Sequence, residues 1–351
     1  MNENVLIYYG HFLSFDMAKR PTIIDVARLA GVSKATVARV VNGQADIVSE
    51  ETRQRVMSAV SQLAYERNAI AGSLRTSKTH MVALAIPDIT NPYWPEVARG
   101  VQDTLEEQGY AVMTVNSDWD PKRELNYLKL VRHSRFDGLI INPANVANSR
   151  FQDLSIPVVL LGTGNHYTGY DAVGSDSEAG QIEALHFLYR LGHRRIGLIT
   201  GFSVRGRARV RYNSYVTFLA QQGLRLDESL IVHSDFTIQG GMDAMSQLLR
   251  LSSPPTAVFA ANDILAIGAL QGARINGWNV PGDVSIVGMD DIYAAATTSP
   301  PLTTVRKPKY ETGVEAAKLL LARLKGDRSP ARNLKLACTL VERESTASPC
   351  R

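Results

Sequence analysis

Thr22-Ile23-Ile24-Asp25-Val26-Ala27-Arg28-Leu29-Ala30-Gly31-Val32-Ser33-Lys34-Ala35-Thr36-Val37-Ala38-Arg39-Val40-Val41-Asn42-Gly43 is the stretch of this chain that decides how the rest is read. Thr22 and Asp25 form a T-x-x-D pattern, in which the threonine caps a helix and the acid reaches back to it. Val26, Leu29 and Ala30 recur at i, i+3 and i+4 and predict one apolar stripe. Gly31, which tolerates positive φ, breaks the pattern. Ser33 then caps a second helix with the stripe Val37, Val40 and Val41, and Asn42-Gly43 ends it. Two short helices that join at a tight turn and face each other through such stripes form a helix-turn-helix. A third helix over residues 49–63 carries Glu50 and Glu51 in its first turn, where the helix dipole favours anions. It adds Val56, Val60 and Leu63 to the small core.

On the second helix Lys34, Ala35, Ala38 and Arg39 lie off the apolar stripe. Such a face suits a major groove. Arginine pairs with O6 and N7 of guanine, lysine reaches guanine or phosphate, and alanine touches a thymine methyl. By spacing alone, a generic helical hairpin with a solvated charged surface also fits. The charge distribution favours a polyanion partner. The whole chain carries a formal +4, yet between Met17 and Lys78 ten basic residues face five acidic ones, so the positive field is concentrated at one end.

The remaining composition sets the class. The 351 residues, with 45% hydrophobic and 21% charged residues, predict two or three ordinary globular domains. Cys338 and Cys350 are too far apart for a CxxC redox or zinc motif, which fits a reducing compartment. No apolar run approaches the roughly 18 residues of a membrane crossing. Residues 1–16 lack a basic leader and a small-residue cleavage site, so they read as a disordered tail, with Met17 as an alternative start. The expectation is a cytoplasmic protein without a membrane, metal or cofactor.

From Met81 onward, short aliphatic runs alternate with helical patterns, which predicts repeated βα units and parallel sheets. Strands are expected at 81–86, 111–115, 138–141, 158–161, 196–200, 257–260 and 285–289, with helices such as 93–108 and 177–191. Open α/β sheets bind ligands at the carboxyl ends of their strands. Those ends carry Asp88-Ile89-Thr90-Asn91-Pro92-Tyr93-Trp94, Asn142, the arginines 205, 207, 209 and 211, Asn262-Asp263 and Asp290-Asp291. Paired donors and acceptors of these kinds satisfy vicinal hydroxyls, while the two aromatic rings suit a sugar face or a planar base. Any one of them also fits a helix cap, and Asp263 is read as one. Gly162-Thr163-Gly164 has no further glycine at the G-x-G-x-x-G position, and no Walker A or nucleophile-elbow motif occurs, so no catalytic residue is expected.

The 22–43 run closely resembles the headpiece signature of the lactose-repressor (LacI/GalR) family. The resemblance implies base-edge contacts for Lys34, Ala35 and Arg39, and backbone contacts for Ser33 and Thr36. Ala38 departs from the family's usual serine. Residues 66–79 resemble the family's hinge, with Asn68 capping a helix too short to persist alone and Leu74 as the apolar wedge that kinks the duplex; a linker residue packed on the core is the other reading of Leu74. Arg67 and Gly72 stand where the family usually has proline and arginine. Asn91-Pro92-Tyr93-Trp94, Leu191-Gly192-His193-Arg194-Arg195-Ile196, Ala260-Ala261-Asn262-Asp263, Asp283-Val284-Ser285-Ile286-Val287-Gly288-Met289-Asp290-Asp291 and Pro300-Pro301-Leu302-Thr303-Thr304-Val305 also resemble family signatures. They imply effector contacts at Tyr93, Trp94, Asn142, Arg211, Asn262 and Asp290. Gly162 replaces an acid that many relatives use to hold a ligand hydroxyl.

The expected architecture is an all-α helix-turn-helix headpiece (17–66), a hinge (67–79) and an α/β effector domain (80–351) of two doubly wound parallel-sheet lobes like those of periplasmic binding proteins. Lobe 1 is expected over about 80–175 and 306–336, lobe 2 over about 176–305 and 337–351. The expected function is that of a repressor acting as a homodimer on palindromic double-stranded operator DNA. A small-molecule effector, a sugar or sugar derivative serving as inducer or corepressor, would control it. A periplasmic-type solute-binding protein without DNA function is the alternative.

Overall fold

The computed structural model describes residues 21–43, 48–66, 78–143, 147–162, 167–201 and 207–350. The chain falls into two compact units that divide between Thr79 and His80.

The first unit holds α1 (Ile23–Ala30), α2 (Lys34–Val41) and α3 (Glu50–Gln62). The Asp25 carboxylate accepts from the Thr22 backbone N–H at 2.9 Å and from its hydroxyl at 2.7 Å, so the first helix starts where the T-x-x-D pattern predicts. Gly31 follows it at φ 65°, a left-handed turn that glycine makes without a Cβ penalty. Ser33 accepts from the Thr36 backbone N–H at 3.1 Å and opens α2. Ser49 does the same for α3 through Thr52. The core is Val26, Ala27, Ala30, Val37, Val40, Val56 and Ala59, with Val41, Val60 and Leu63 partly buried around it.

Leu29 is not in this core. It is 50% exposed, whereas Ala27 is buried. At about 100° per residue, Val26, Ala27 and Ala30 fall within one 100° arc centred between Val26 and Ala27, and Leu29 lies more than 100° from that centre. The i, i+3 spacing picked the neighbouring face.

The second unit is built on two six-stranded sheets. The first uses β1 (Met81–Ile86), β2 (Ala111–Asn116), β3 (Gly138–Ile141), β4 (Val158–Leu161) and β5 (Asp171–Ser175). Its helices are α4 (Tyr93–Glu106), α5 (Pro121–His133) and the short turn α6 (Ser149–Gln152). The chain then passes through α7 (Ser177–Arg190) into the second sheet. That sheet contains β6 (Ile196–Gly201), β7 (Ile231–Ser234), β8 (Ala257–Ala260), β9 (Ser285–Asp290) and β10 (Thr303–Arg306). It is interleaved with α8 (Arg207–Gln221), α9 (Ile238–Leu249) and α10 (Asp263–Ile275). Finally α11 (Lys309–Leu324) returns to the first sheet, β11 (Asn333–Leu336) joins its edge, and β12 (Thr339–Val341) closes the second.

The strand orders are β11-β5-β4-β3-β1-β2 and β12-β10-β9-β8-β6-β7. Every pair is parallel except β10 with β12. Because side chains alternate across a strand, Val82, Leu84 and Ile86 enter one core and Ala83 and Ala85 the opposite one. Burial on both faces is what makes these strands read as continuous apolar runs. In each sheet the winding reverses beside the strand that begins it, between β1 and β3 and between β6 and β8, and such switch points open a crevice at the carboxyl ends. Among the described residues no helix is long and apolar enough to cross a membrane.

The helix pair α4 and α11 packs with its backbones in direct contact. A Cβ on Gly100 would overlap the Tyr310 carbonyl oxygen, and one on Gly313 would overlap that of Val97. Overpacking of this kind typically costs about 1–3 kcal/mol. Gly100→Ala is expected to lower the unfolding free energy of the second unit by about that amount, measured by urea denaturation; an unchanged midpoint would mean that the helices part without cost.

Candidate DNA-reading face and effector site

In the first unit, α2 buries Val37 and Val40 and leaves Lys34, Ala35 and Arg39 exposed, with Thr36 and Ala38 half-buried. The Ser33 hydroxyl is occupied locally, lying 2.8 Å from the Thr36 hydroxyl while it caps the helix. The exposed face therefore offers one short apolar side chain between two cations. Asn68 and Leu74 lie outside the described residues.

In the second unit the predicted positions follow the strands as the doubly wound topology requires. Asn91 starts α4 by accepting from the Tyr93 backbone N–H through its side chain, at 3.0 Å. The rings of Tyr93 and Trp94 then meet edge to face, with centroids 4.9 Å apart. Both are buried, and both pack in the core that contains Val82 and Leu84. Asn142 follows β3; its amide donates to the Leu161 carbonyl at 2.6 Å, and its Oδ1 is buried without a hydrogen-bond partner. Asn262 follows β8 and accepts from the Leu265 backbone N–H at 2.9 Å. The cap of α10 is therefore Asn262 rather than Asp263.

Asp263 has a different environment. Its carboxylate is fully buried and accepts from the Thr304 hydroxyl and, at 2.9 Å, from the Ile292 backbone N–H. A Cβ on Gly288 would overlap it, which explains a glycine next to Met289 and Asp290 in the middle of a buried strand. Burial, then the neighbouring Asp290 charge, push its pKa up to about 7 against the pull of those two hydrogen bonds.

Asp290 and Asp291 lie beside it. Asp290 ends β9 at φ 123°, and Asp291 follows at φ 53°. The Asp290 carboxylate meets the Lys307 ammonium at 3.1 Å, and that ammonium lies 4.4 Å over the Tyr93 ring. Arg211 on α8 feels both Asp290 and Tyr93: burial lowers its pKa, and the charges of Asp290 and Tyr93 raise it in return. Its Nε is buried without a hydrogen-bond partner. Tyr93, Arg211 and Asp290 are thus brought together. Asn142 and Asn262 stand at neighbouring strand ends, engaged within their own lobes. Gln181, Thr200 and Ser175 also carry buried side-chain oxygens without partners.

Lys307 was not among the residues expected from sequence. It follows β10, a strand outside the expected set, and that strand is the signal that would have found it. Lys309 was missed for the same reason; its buried ammonium donates to the carbonyls of Asp290 and Asp291 at 2.9 and 2.7 Å and pairs with Glu96 at 3.5 Å. The Asp291 carboxylate is held by Arg306 and Arg343, each at 2.6 Å; burial alone would raise its pKa, and these two partners bring it below the ordinary value. His193 is buried between Thr256 and the Ala347 carbonyl, at 2.9 Å from each, and serves the fold.

The raised pKa of Asp263 has a sign that can be checked. Below about pH 4 the acid is protonated in both folded and unfolded chains, and its contribution to stability is fully present. Between about pH 4 and 7 only the folded chain keeps the proton, so stability falls as pH rises towards about 7. Asp263→Asn is expected to flatten this part of the stability profile measured by denaturant titration at each pH. Parallel profiles for the two proteins would show that Asp263 titrates normally.

Residues 22–68 match the profile of bacterial regulatory proteins of the lacI family, and residues 185–346 that of the periplasmic binding protein-like domain. The chain is 35% identical to the HTH-type transcriptional regulator DegA of Bacillus subtilis, covering 93% of this chain and 98% of the relative. It is 36% identical to the ribose operon repressor of Haemophilus influenzae, covering 93% and 99%. Its fold superimposes on a lac repressor dimer bound to operator and the anti-inducer ONPF with a TM-score of 0.85 at 26% identity, over 94% of this chain and all of that one. These relatives are transcriptional regulators rather than enzymes. With a helix-turn-helix amino-terminal in sequence to two doubly wound sheets, and with identity above 30% over nearly the whole length of such regulators, the chain belongs to the lacI family of bacterial regulatory proteins.

Proposed function

We propose that the chain is a cytoplasmic, homodimeric repressor that reads a palindromic operator and is controlled by a carbohydrate effector held between its two lobes. The observation that carries this reading is the α2 face, where Lys34, Ala35 and Arg39 stand exposed on a helix fixed by Val37 and Val40. In this reading Arg39 and Lys34 reach base edges, Ala35 meets a thymine methyl, and Ser33 and Thr36 approach the phosphates. The hinge over 67–79 joins the headpiece (17–66) to the effector domain (80–351), with Asn68 and Leu74 engaging the operator centre.

The effector side rests on Tyr93, Arg211 and Asp290, with Trp94, Asn142 and Asn262 completing the site. A structure of a lacI-family regulator from Enterococcus faecium with bound ribose has a TM-score of 0.70 to this chain at 29% identity, and a cellobiose complex of the regulator CelR has 0.69 at 32%. Control requires only that the effector bind one lobe arrangement better than another; operator affinity then changes by the same coupling free energy.

In a gel-shift titration the chain is expected to bind a palindromic operator with an affinity that falls steeply with salt. Arg39→Ala is expected to weaken specific binding by about 1–3 kcal/mol and to relax one base position; an unchanged operator preference would remove Arg39 from the reading set. Arg211→Ala and Asp290→Ala are each expected to abolish the effector response while operator binding without effector persists. A normal response in either variant would take that residue out of the site.

A further inference from the structure

We propose that the effector is an anionic carbohydrate, one carrying a carboxylate or phosphate group, and that Lys307 selects it together with Arg211. The inference rests on the effector-site reading given above and adds the charge of the ligand to it.

The argument is a charge balance at the strand ends. Arg211 and Lys307 both feel the Asp290 carboxylate. Lys307 is the one that pairs with it, at 3.1 Å, and both side chains of that pair are nearly buried, at 11% and 6% exposure. Arg211 is left with its Nε buried and without a partner. Among the described residues, the other acids at the carboxyl ends of the strands are engaged elsewhere. Asp88 accepts from the backbone and hydroxyl of Thr90. Asp118 pairs with Arg123. Asp176 caps α7 through Ala179, and Asp235 accepts from Thr237. Asp291 is held by Arg306 and Arg343, and Asp263 by Thr304 and Ile292. Gly162, at the end of β4, offers no side chain. Lys309 spends its ammonium on two backbone carbonyls and on Glu96.

Arg211 is half-buried, and a buried guanidinium nitrogen without an acceptor is costly, because it has lost hydration that nothing replaces. Hydroxyls of a neutral sugar would satisfy Asp290 and leave the positive charge uncompensated. A carboxylate or phosphate supplies what is missing, since its oxygens match the guanidinium fork and also accept from an ammonium. Lys307 is placed to receive it. The ammonium sits between the Tyr93 ring and Asp290, so the ring holds it by a cation–π contact while its charge is shared between the acid and the ligand.

The test is thermal shift and calorimetry on the full chain at constant ionic strength. The probes are matched sets: D-ribose with ribose 5-phosphate, D-glucose with glucose 6-phosphate and D-gluconate, and inorganic phosphate alone. The expected result is that an anionic member raises the melting temperature where its neutral counterpart at the same concentration does not. Gluconate against the two phosphates tells which oxyanion is taken. Lys307→Gln is expected to weaken that binding at least tenfold, and Lys307→Arg, which keeps the charge, to restore most of it. A neutral sugar that binds wild type and Lys307→Gln equally well, with no gain from its anionic counterpart, overturns the charge assignment and leaves the carbohydrate site standing. A shift that survives in Lys307→Gln overturns the role of Lys307, and one that inorganic phosphate reproduces alone overturns the carbohydrate part of the assignment. Silence across the whole set overturns this inference and the carbohydrate reading together.

Discussion

The backbone at Asp290 and Asp291 turns through φ values of 123° and 53°, conformations that typically cost about 1–3 kcal/mol each for a residue with a side chain. The buried ammonium of Lys309 offsets this by capping both carbonyls, and Asp263 secures the next N–H, that of Ile292. Without this turn β9 would run on straight, and the Asp290 carboxylate would not meet Lys307 on the neighbouring strand's extension. The constraint also reaches the first lobe. Lys309 opens α11, α11 is locked to α4 through Gly100 and Gly313, and α4 begins with Tyr93. A single buried lysine therefore fixes the acid of one lobe relative to the aromatic ring of the other.

That arrangement was only partly legible in the sequence, and the gaps have physical causes. The central strands β1, β3, β4, β6, β8 and β9 are apolar along their length because both faces are covered, so their positions could be read directly. β5 (Asp-Ala-Val-Gly-Ser), β7 (Ile-Val-His-Ser) and β11 (Asn-Leu-Lys-Leu) could not. They are short and partly polar, and β11 gains its identity only by pairing with β5, some 160 residues earlier in the chain. With β10 missing from the pattern, Lys307 had no strand end to be placed on. Leu29 was misplaced for a more local reason, since an eight-residue helix offers two overlapping i, i+3 stripes and only tertiary packing chooses between them. Asn262 and Asp263 are adjacent and both suited to capping, and the register of one residue at the start of α10 decided which became the cap and which was buried. The headpiece face was the most legible part, because its outward residues are defined simply by not being Val37 and Val40.

Lys307 lies on one of the connections between the two sheets. The chain crosses between the sheets three times, from β5 to α7, from β10 to α11 and from β11 to β12, and these crossovers carry Asp176, Lys307 and Cys338. They lie close together: burial pushes the Cys338 thiol up to about 11, and its surroundings include the charges of Lys307, Asp176, Asp290 and Glu183. A group that drew on the charge of Lys307 would therefore act at a connection between the lobes. The first strand of lobe 1 is held at its start, since Asp137 accepts from the His80 N–H at 2.8 Å and donates its own N–H to the Met81 carbonyl at 2.9 Å. On the proposed function, an effector held at Lys307 would act directly on a connection between the lobes, and the coupling asked of that contact would be about 1–3 kcal/mol, the ordinary range for allosteric proteins.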